Sequence, residues 1–140
     1  MRILGLDLGS RTLGIALSDT GEKMALMKET FRFAQDDYDA AVDKTLEYID
    51  EYQIKEVVLG LPKHMNGDIG ERAQLSMDFK EVLEEERDVT VILMDERLTT
   101  VSALKTMSSL NTTAKKRKSM VDQMAAQTIL QDYLDKKRKQ

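Results

Sequence analysis

The first nineteen residues commit to a hairpin, and that commitment limits what the rest of the chain can build. Arg2 to Leu8 follows the two-residue period of a strand, with Leu4, Leu6 and Leu8 on one face and Ile3, Gly5 and Asp7 on the other. Gly9-Ser10-Arg11 supplies a turn, Thr12 to Asp19 a second strand, and residues near Met24 to Phe33 a third. Connections this short force antiparallel pairing. Asp36 or Asp37 can then cap a helix whose apolar positions Ala41, Val42, Leu46, Ile49 and Tyr52 recur at helical spacing. Val57-Val58-Leu59 reads as a short buried strand ending in the loop Gly60-Leu61-Pro62. A helix over roughly 69–86, a buried strand Val89 to Met94, and helices near 99–109 and 117–135 complete the chain. Strands separated by helices pair in parallel. The expected fold is therefore α/β, a mixed five-stranded sheet with helices on both faces.

One compact domain over 1–140 suits this length, and no linker or fixed-period repeat divides it. No apolar run approaches the roughly 18–20 residues that span a bilayer, so no membrane role is expected. Asp7 comes too early for a signal peptide, and the chain has no cysteine for a disulfide or a thiolate metal site. Both features fit the cytoplasm. The net charge is −4, but it is unevenly spread. Residues 111–140 hold eight Lys/Arg against three acids, giving +5 and leaving −9 on residues 1–110. A basic end on an acidic body suggests one edge that faces a polyanion; a solvated helix with a frayed basic tail is the plainer alternative.

Three acids break the rule that charges avoid apolar faces unless paired or bound to metal. Asp7 lies inside the first strand, flanked by Gly5 and Gly9, which leave space around it; turn amides of Ser10 and Arg11 could also satisfy it. Asp122 shares one helical stripe with Ala125, Ala126, Ile129, Leu130, Tyr133 and Leu134, although an acid near a helix start is also favoured by the helix dipole. Asp95 and Glu96 end the strand Val89 to Met94, at the sheet edge where such folds place ligands. Alternation puts Glu96 with Ile92 and Met94, and Asp95 with Val91 and Leu93. One of the two should point toward Asp7; capping the next helix or pairing with Arg97 is the other fate open to them. Oxygen donors without a histidine cluster select a hard cation, Mg²⁺ or Mn²⁺. The single histidine, His64, reads as a loop surface residue. Such cations near a phosphodiester polarise the phosphoryl group and lower the pKa of attacking water.

Four segments then match a known family in order along nearly the whole chain. Asp7 to Asp19 resembles the opening motif of the YqgF (RuvX-like) family of pre-16S rRNA nucleases. Gly60-Leu61-Pro62-Lys63 with Asn66-Gly67, Asp95-Glu96-Arg97-Leu98-Thr99-Thr100, and Asp122-Gln123-Met124-Ala125-Ala126 followed by Ile129-Leu130-Gln131 are similar to its later motifs. The resemblance implies an RNase H-like fold related to RuvC-type Holliday junction resolvases, and trimming of the 5′ end of precursor 16S rRNA. It implies catalytic, metal-binding acids at Asp7, Glu96 (Asp95 in reserve) and Asp122. Arg97, Lys63 and the run Lys115, Lys116, Arg117 and Lys118 are candidate phosphate contacts, with solvated surface charge as the alternative reading. Expected partners are nucleic acid, either precursor 16S rRNA or branched DNA, and ribosomal precursor particles, with the chain a monomer or homodimer. Three rival functions stand beside this one. A sugar-kinase or actin-like ATPase needs a second domain and phosphate loop. A non-catalytic binding module gains nothing from clustered acids. A junction resolvase is easiest to build as a two-fold dimer.

Overall fold

The computed structural model describes residues 1–62, 70–96 and 115–139, with side chains in the last segment from residue 123 onward. Strands β1 (Leu4–Leu8), β2 (Thr12–Ser18) and β3 (Ala25–Arg32) form the expected antiparallel meander. Helix α1 (Tyr38–Tyr52), strand β4 (Glu56–Leu61), helix α2 (Glu71–Glu86) and strand β5 (Thr90–Asp95) follow, and helix α3 (Lys115–Arg138) closes the described chain. The sheet order is β3-β2-β1-β4-β5, with β1, β4 and β5 parallel. The mixed five-stranded sheet is thus the one expected. The helix expected near 99–109 lies outside the described residues.

Local chemistry explains the boundaries. The Asp37 carboxylate accepts from the Ala40 amide and caps α1, and Gln53 ends it in the left-handed conformation at φ 54°. Gly60 and Leu61, expected in a loop, continue β4, where Gly60 pairs with Met94 and Leu61 with Asp95. Each face of the sheet has its own core. Leu4, Leu6, Leu8, Leu13, Ile15, Leu17, Val57 and Leu59 pack with Ala41, Ile49, Phe79 and Leu83 of α1 and α2. On the reverse face Ile3, Ala16, Ala25, Val58 and Met94 meet Ala125, Ala126, Ile129, Leu130 and Leu134 of α3. Of the stripe expected on the last helix, Ala125, Ala126, Ile129, Leu130 and Leu134 are buried and Tyr133 is half-buried at its margin, while the Asp122 side chain lies outside what is described.

Helix α3 sits unusually near the sheet. A Cβ added at Gly5 would lie 2.7 Å from Leu130 Cβ and 3.2 Å from the Ala126 carbonyl oxygen. Gly5 is therefore the seat of a helix, and the expectation that it leaves open space beside Asp7 is corrected. The direction of α3 follows from two contacts. Lys137 donates to Glu56 at the start of β4 (3.3 Å), whereas Ile129 lies against Gly60 near its end. Eight helical residues rise about 12 Å and four strand residues about 13 Å, so α3 runs antiparallel to β4 in step with it.

The basic end of the chain also needs correcting. Lys115–Lys118 and Lys136–Lys139 lie at opposite ends of this helix, about 30 Å apart, and cannot form one edge. The tail is not frayed either. Lys137 pairs with Glu22 (2.9 Å) as well as Glu56, and Arg138 pairs with Asp135. Lys137 thus meets acids of the body, while Arg138 pairs within its own helix. Lys115–Lys118 form the first turn of α3.

Candidate metal centre

Strand pairing brings two of the expected acids to one spot. Asp7 pairs with Gly14 on β2, and the parallel register that joins Leu6 to Leu59 leads next to Asp7 beside Gly60. Asp7 thus lies between two glycines on neighbouring strands. Strand β5 is not adjacent to β1, because β4 separates them. Glu96, immediately after β5, crosses that gap with its carboxylate. A Cβ built on Gly60 would lie 2.9 Å from Glu96 Oε1 and 2.7 Å from Ile129 Cδ1. The missing side chain at Gly60 makes the cradle in which Glu96 lies, on the Asp7 side of the sheet. Both acids are buried, Asp7 at 6% and Glu96 at 4% exposure.

Asp95 takes the other direction. It follows Val91 and Leu93 by alternation, and those side chains pack with the α1/α2 core. Of the two neighbours, Glu96 lies on the face of the sheet that carries Asp7, and Asp95 on the reverse face.

The helix brings the third acid to the same level. Asp122 lies in α3 seven residues before Ile129, two turns nearer the helix start. Ala126 and Leu130 bracket Gly5, and Asp7 lies two strand residues, about 6.6 Å, further along β1. Four to five helical residues cover that distance, which brings the α3 backbone level with Asp7 at about residue 123. The Asp122 side chain lies outside what is described. Among the described residues no group of three His, Cys, Asp or Glu side chains is assembled for a metal. Lys63, His64 and Arg97 also lie outside the described residues, as do the side chains of Lys115, Lys116, Arg117 and Lys118.

A second hollow opens at the end of β1. Leu8, Gly9, Ser10, Tyr38, Arg72 and Leu75 line it together with Asp36 and Glu71, around a cavity of about 190 Å³. Arg72 Nη2 lies 3.8 Å from the place of a Gly9 Cβ, two residues beyond Asp7. Burial first, and then a 3.2 Å hydrogen bond to Asp36, raise the Tyr38 hydroxyl above its ordinary pKa, so it remains a neutral donor.

The sequence model of the RuvX family, described as Holliday junction resolvase, matches residues 1–136. The chain belongs to that family. A relative from Bacillus subtilis (strain 168), named "Putative pre-16S rRNA nuclease", is 47% identical over 135 residues, 96% of this chain and 98% of that protein. One of the same name from Onion yellows phytoplasma (strain OY-M) is 51% identical over 133 residues, 94% of this chain and 87% of its own length. The solved structure of T. thermophilus RuvC in complex with Holliday junction substrate superimposes with a TM-score of 0.64 at 15% identity, covering 99% of this chain and 96% of that one. That likeness establishes the RNase H-like fold.

Sequence reasoning gave no place at the site to three residues of this RuvX family member, two of them within its motifs. Gly60 had a legible signal, since a glycine after Val57-Val58-Leu59 marks a close approach within a strand as readily as a loop. Gly14 matters only through its pairing with Asp7, which no spacing reveals. Arg72 had no local signal; it stands beside Gly9 because α2 begins where β1 ends.

Proposed function

We propose that this RuvX family member is a cytoplasmic, divalent-metal-dependent phosphodiester hydrolase, one nuclease domain over 1–140, that trims the 5′ end of precursor 16S rRNA. The observation that carries the reading is the convergence of buried Asp7 and Glu96 at Gly60. Two buried carboxylates on one face of the sheet supply the hard oxygen donors that a divalent cation prefers. An all-oxygen donor set suits Mg²⁺ or Mn²⁺, and the missing side chain at Gly60 lets the Glu96 carboxylate lie over β4 on the face that carries Asp7. Asp7, Glu96 and Asp122 hold the metal. When bound, it supplies charge stabilisation to the phosphoryl group and makes an attacking water more acidic.

The chain's own cations do the rest. Arg72 holds a phosphate of the strand beside the metal acids, and Lys63, Arg97 and Lys115, Lys116, Arg117 and Lys118 bind flanking phosphates. Four successive cations in the first turn of α3, with no acid among them, oppose the helix dipole. That placement lowers helix stability and makes sense where the helix start meets a polyanion. It also offsets the repulsion between RNA and a chain of net charge −4.

The names of the relatives, at 47–51% identity, favour precursor 16S rRNA as substrate, presented on ribosomal precursor particles. A second reading, cleavage of branched DNA by a homodimer, is favoured by the description of the family model. Purified protein given a 5′-extended 16S precursor and, separately, a four-way junction, each with Mg²⁺ or Mn²⁺, separates them. Cleavage of the precursor alone, lost in Asp7→Asn, is the expected result. Cleavage of only the junction would reverse the ranking. Cleavage of neither, with cellular function intact in Asp7→Asn, would point to a binding module.

A further inference from the structure

Helix α3 grips the backbone of β3 through two glutamine side chains. Gln131 accepts from the Ala25 amide through Oε1 (2.9 Å) and donates through Nε2 to the Lys23 carbonyl (3.0 Å). Gln127 donates through Nε2 to the Ala25 carbonyl (3.0 Å). A carbonyl and an amide two residues apart are the groups that an added strand would engage, so the Gln131 amide stands in for one at the start of this edge strand. Ala25 is buried at 3% exposure, and its backbone groups would otherwise lack partners.

We propose that Gln131, assisted by Gln127, is a positioning residue whose grip on β3 fixes the axial register at which α3 carries Asp122 to Asp7 and Glu96. The inference rests on the metal reading above. Its physical basis is a mismatch of tolerances. The α3 stripe is apolar and its tightest contacts, Leu130 at Gly5 and Ile129 at Gly60, lie on β1 and β4, so on the β3 side the two glutamines supply the directional hold. A slip of one helical residue moves the backbone 1.5 Å, whereas metal–ligand distances tolerate only about 0.2 Å. Directional hydrogen bonds to a fixed strand supply the missing precision. Asp122 lies nine residues from Gln131, about 13.5 Å along the axis. Lys137, bound to Glu22 and Glu56, pins the same helix one and a half turns further on. The polar anchors thus run from the middle of α3 to its far end, beginning at Gln127, five residues from Asp122.

Mn²⁺ binding to the full chain, followed by the loss of the free-ion paramagnetic resonance signal without any substrate, tests this. In Gln131→Leu the Mn²⁺ affinity falls about tenfold, the lower end of what supporting partners of metal ligands contribute, while the far-ultraviolet dichroism is unchanged. Gln131→Glu, which keeps the length but turns the donor to the Lys23 carbonyl and Asp135 into an acceptor, loses affinity as well, and so does Gln131→Asn, one methylene shorter. Gln127→Leu, which removes one bond and leaves Gln131 in place, shows a smaller loss and carries the test if Gln131→Leu fails to fold. Arg87→Ala breaks an exposed ion pair with Asp50 far from α3 and leaves Mn²⁺ affinity unchanged. Wild-type affinity in both leucine variants, with binding lost in Glu96→Gln, would overturn the positioning role alone. An equal loss in Arg87→Ala would overturn it too, by showing general loosening. Wild-type affinity in both Asp7→Asn and Glu96→Gln would instead remove the metal reading, and the positioning role with it.

Discussion

Strand β1 presents two faces that obey opposite rules. Toward α1 and α2 it shows Leu4, Leu6 and Leu8, all buried in a core of large aliphatic side chains. Toward α3 it shows Ile3, Gly5 and Asp7, where a glycine admits the helix and a carboxylate is buried with no apolar substitute. The same contrast continues on β4, with Leu59 against Gly60. One face gains stability by burying area. The other buries area too, against Ala126, Ile129 and Leu130, but its glycines bring backbones close and it carries two buried carboxylates. Both faces of one sheet thus carry a core, and the α3 face also carries buried Asp7 and Glu96.

The sharpest way to break this comparison is to remove charge from the α3 face alone. Asp7→Asn is expected to lower cleavage by about a thousandfold, since several kcal/mol of charge stabilisation are at stake and each 1.36 kcal/mol is tenfold. Its melting temperature should stay level or rise. A large drop in melting temperature would show that Asp7 serves the fold. The mirror experiment is Leu6→Ala, expected to cost about 2–5 kcal/mol in urea unfolding while Mn²⁺ affinity of the folded fraction is unchanged. Gly60→Ala joins the two effects. Its methyl would strike Ile129 and the Glu96 carboxylate, costing about 1–3 kcal/mol and weakening Mn²⁺ binding together.

The legibility of this chain follows the same division. The α1/α2 face could be read from sequence because a two-residue leucine alternation and a helical stripe need no knowledge of neighbours. Glu96 over Asp95 needed more. Alternation separated the two, but which face held Asp7's helix was set by strand order, and β4 between β1 and β5 was not visible in spacing. Gly60 was read as the start of a loop because its close contacts, Ile129 and Glu96, lie 69 and 36 residues away. The basic tail misled for a related reason. A run of cations looks solvated until the acids of Glu22 and Glu56 are folded against it.

Two smaller effects sharpen the picture at its margins. Arg72→Ala should weaken RNA binding across sequences and reduce the salt slope by about one, as expected for one lost phosphate contact. An unchanged slope would take Arg72 out of the substrate path. The smallest effect concerns the far end of α3. A hydrogen bond from Lys137 holds the Glu22 carboxyl below its usual range. A depressed carboxylate stabilises above its unfolded pKa, near 4.5, and loses that contribution as pH falls through the folded value. Lys137→Met should therefore lower thermal stability slightly at pH 7, by less than about 1 kcal/mol for so exposed a pair, and by less at about pH 4. An equal loss at both pH values would assign the effect to packing of the lysine stem.

The central claim concerns one ion and three acids. Crystals soaked in Mn²⁺ and measured at the manganese absorption edge test it most directly. The account predicts an anomalous peak over Gly60, with carboxylate oxygens of Asp7, Glu96 and Asp122 at about 2.0–2.4 Å. A peak elsewhere, or Asp122 turned away from an ion held by the other two, would contradict it.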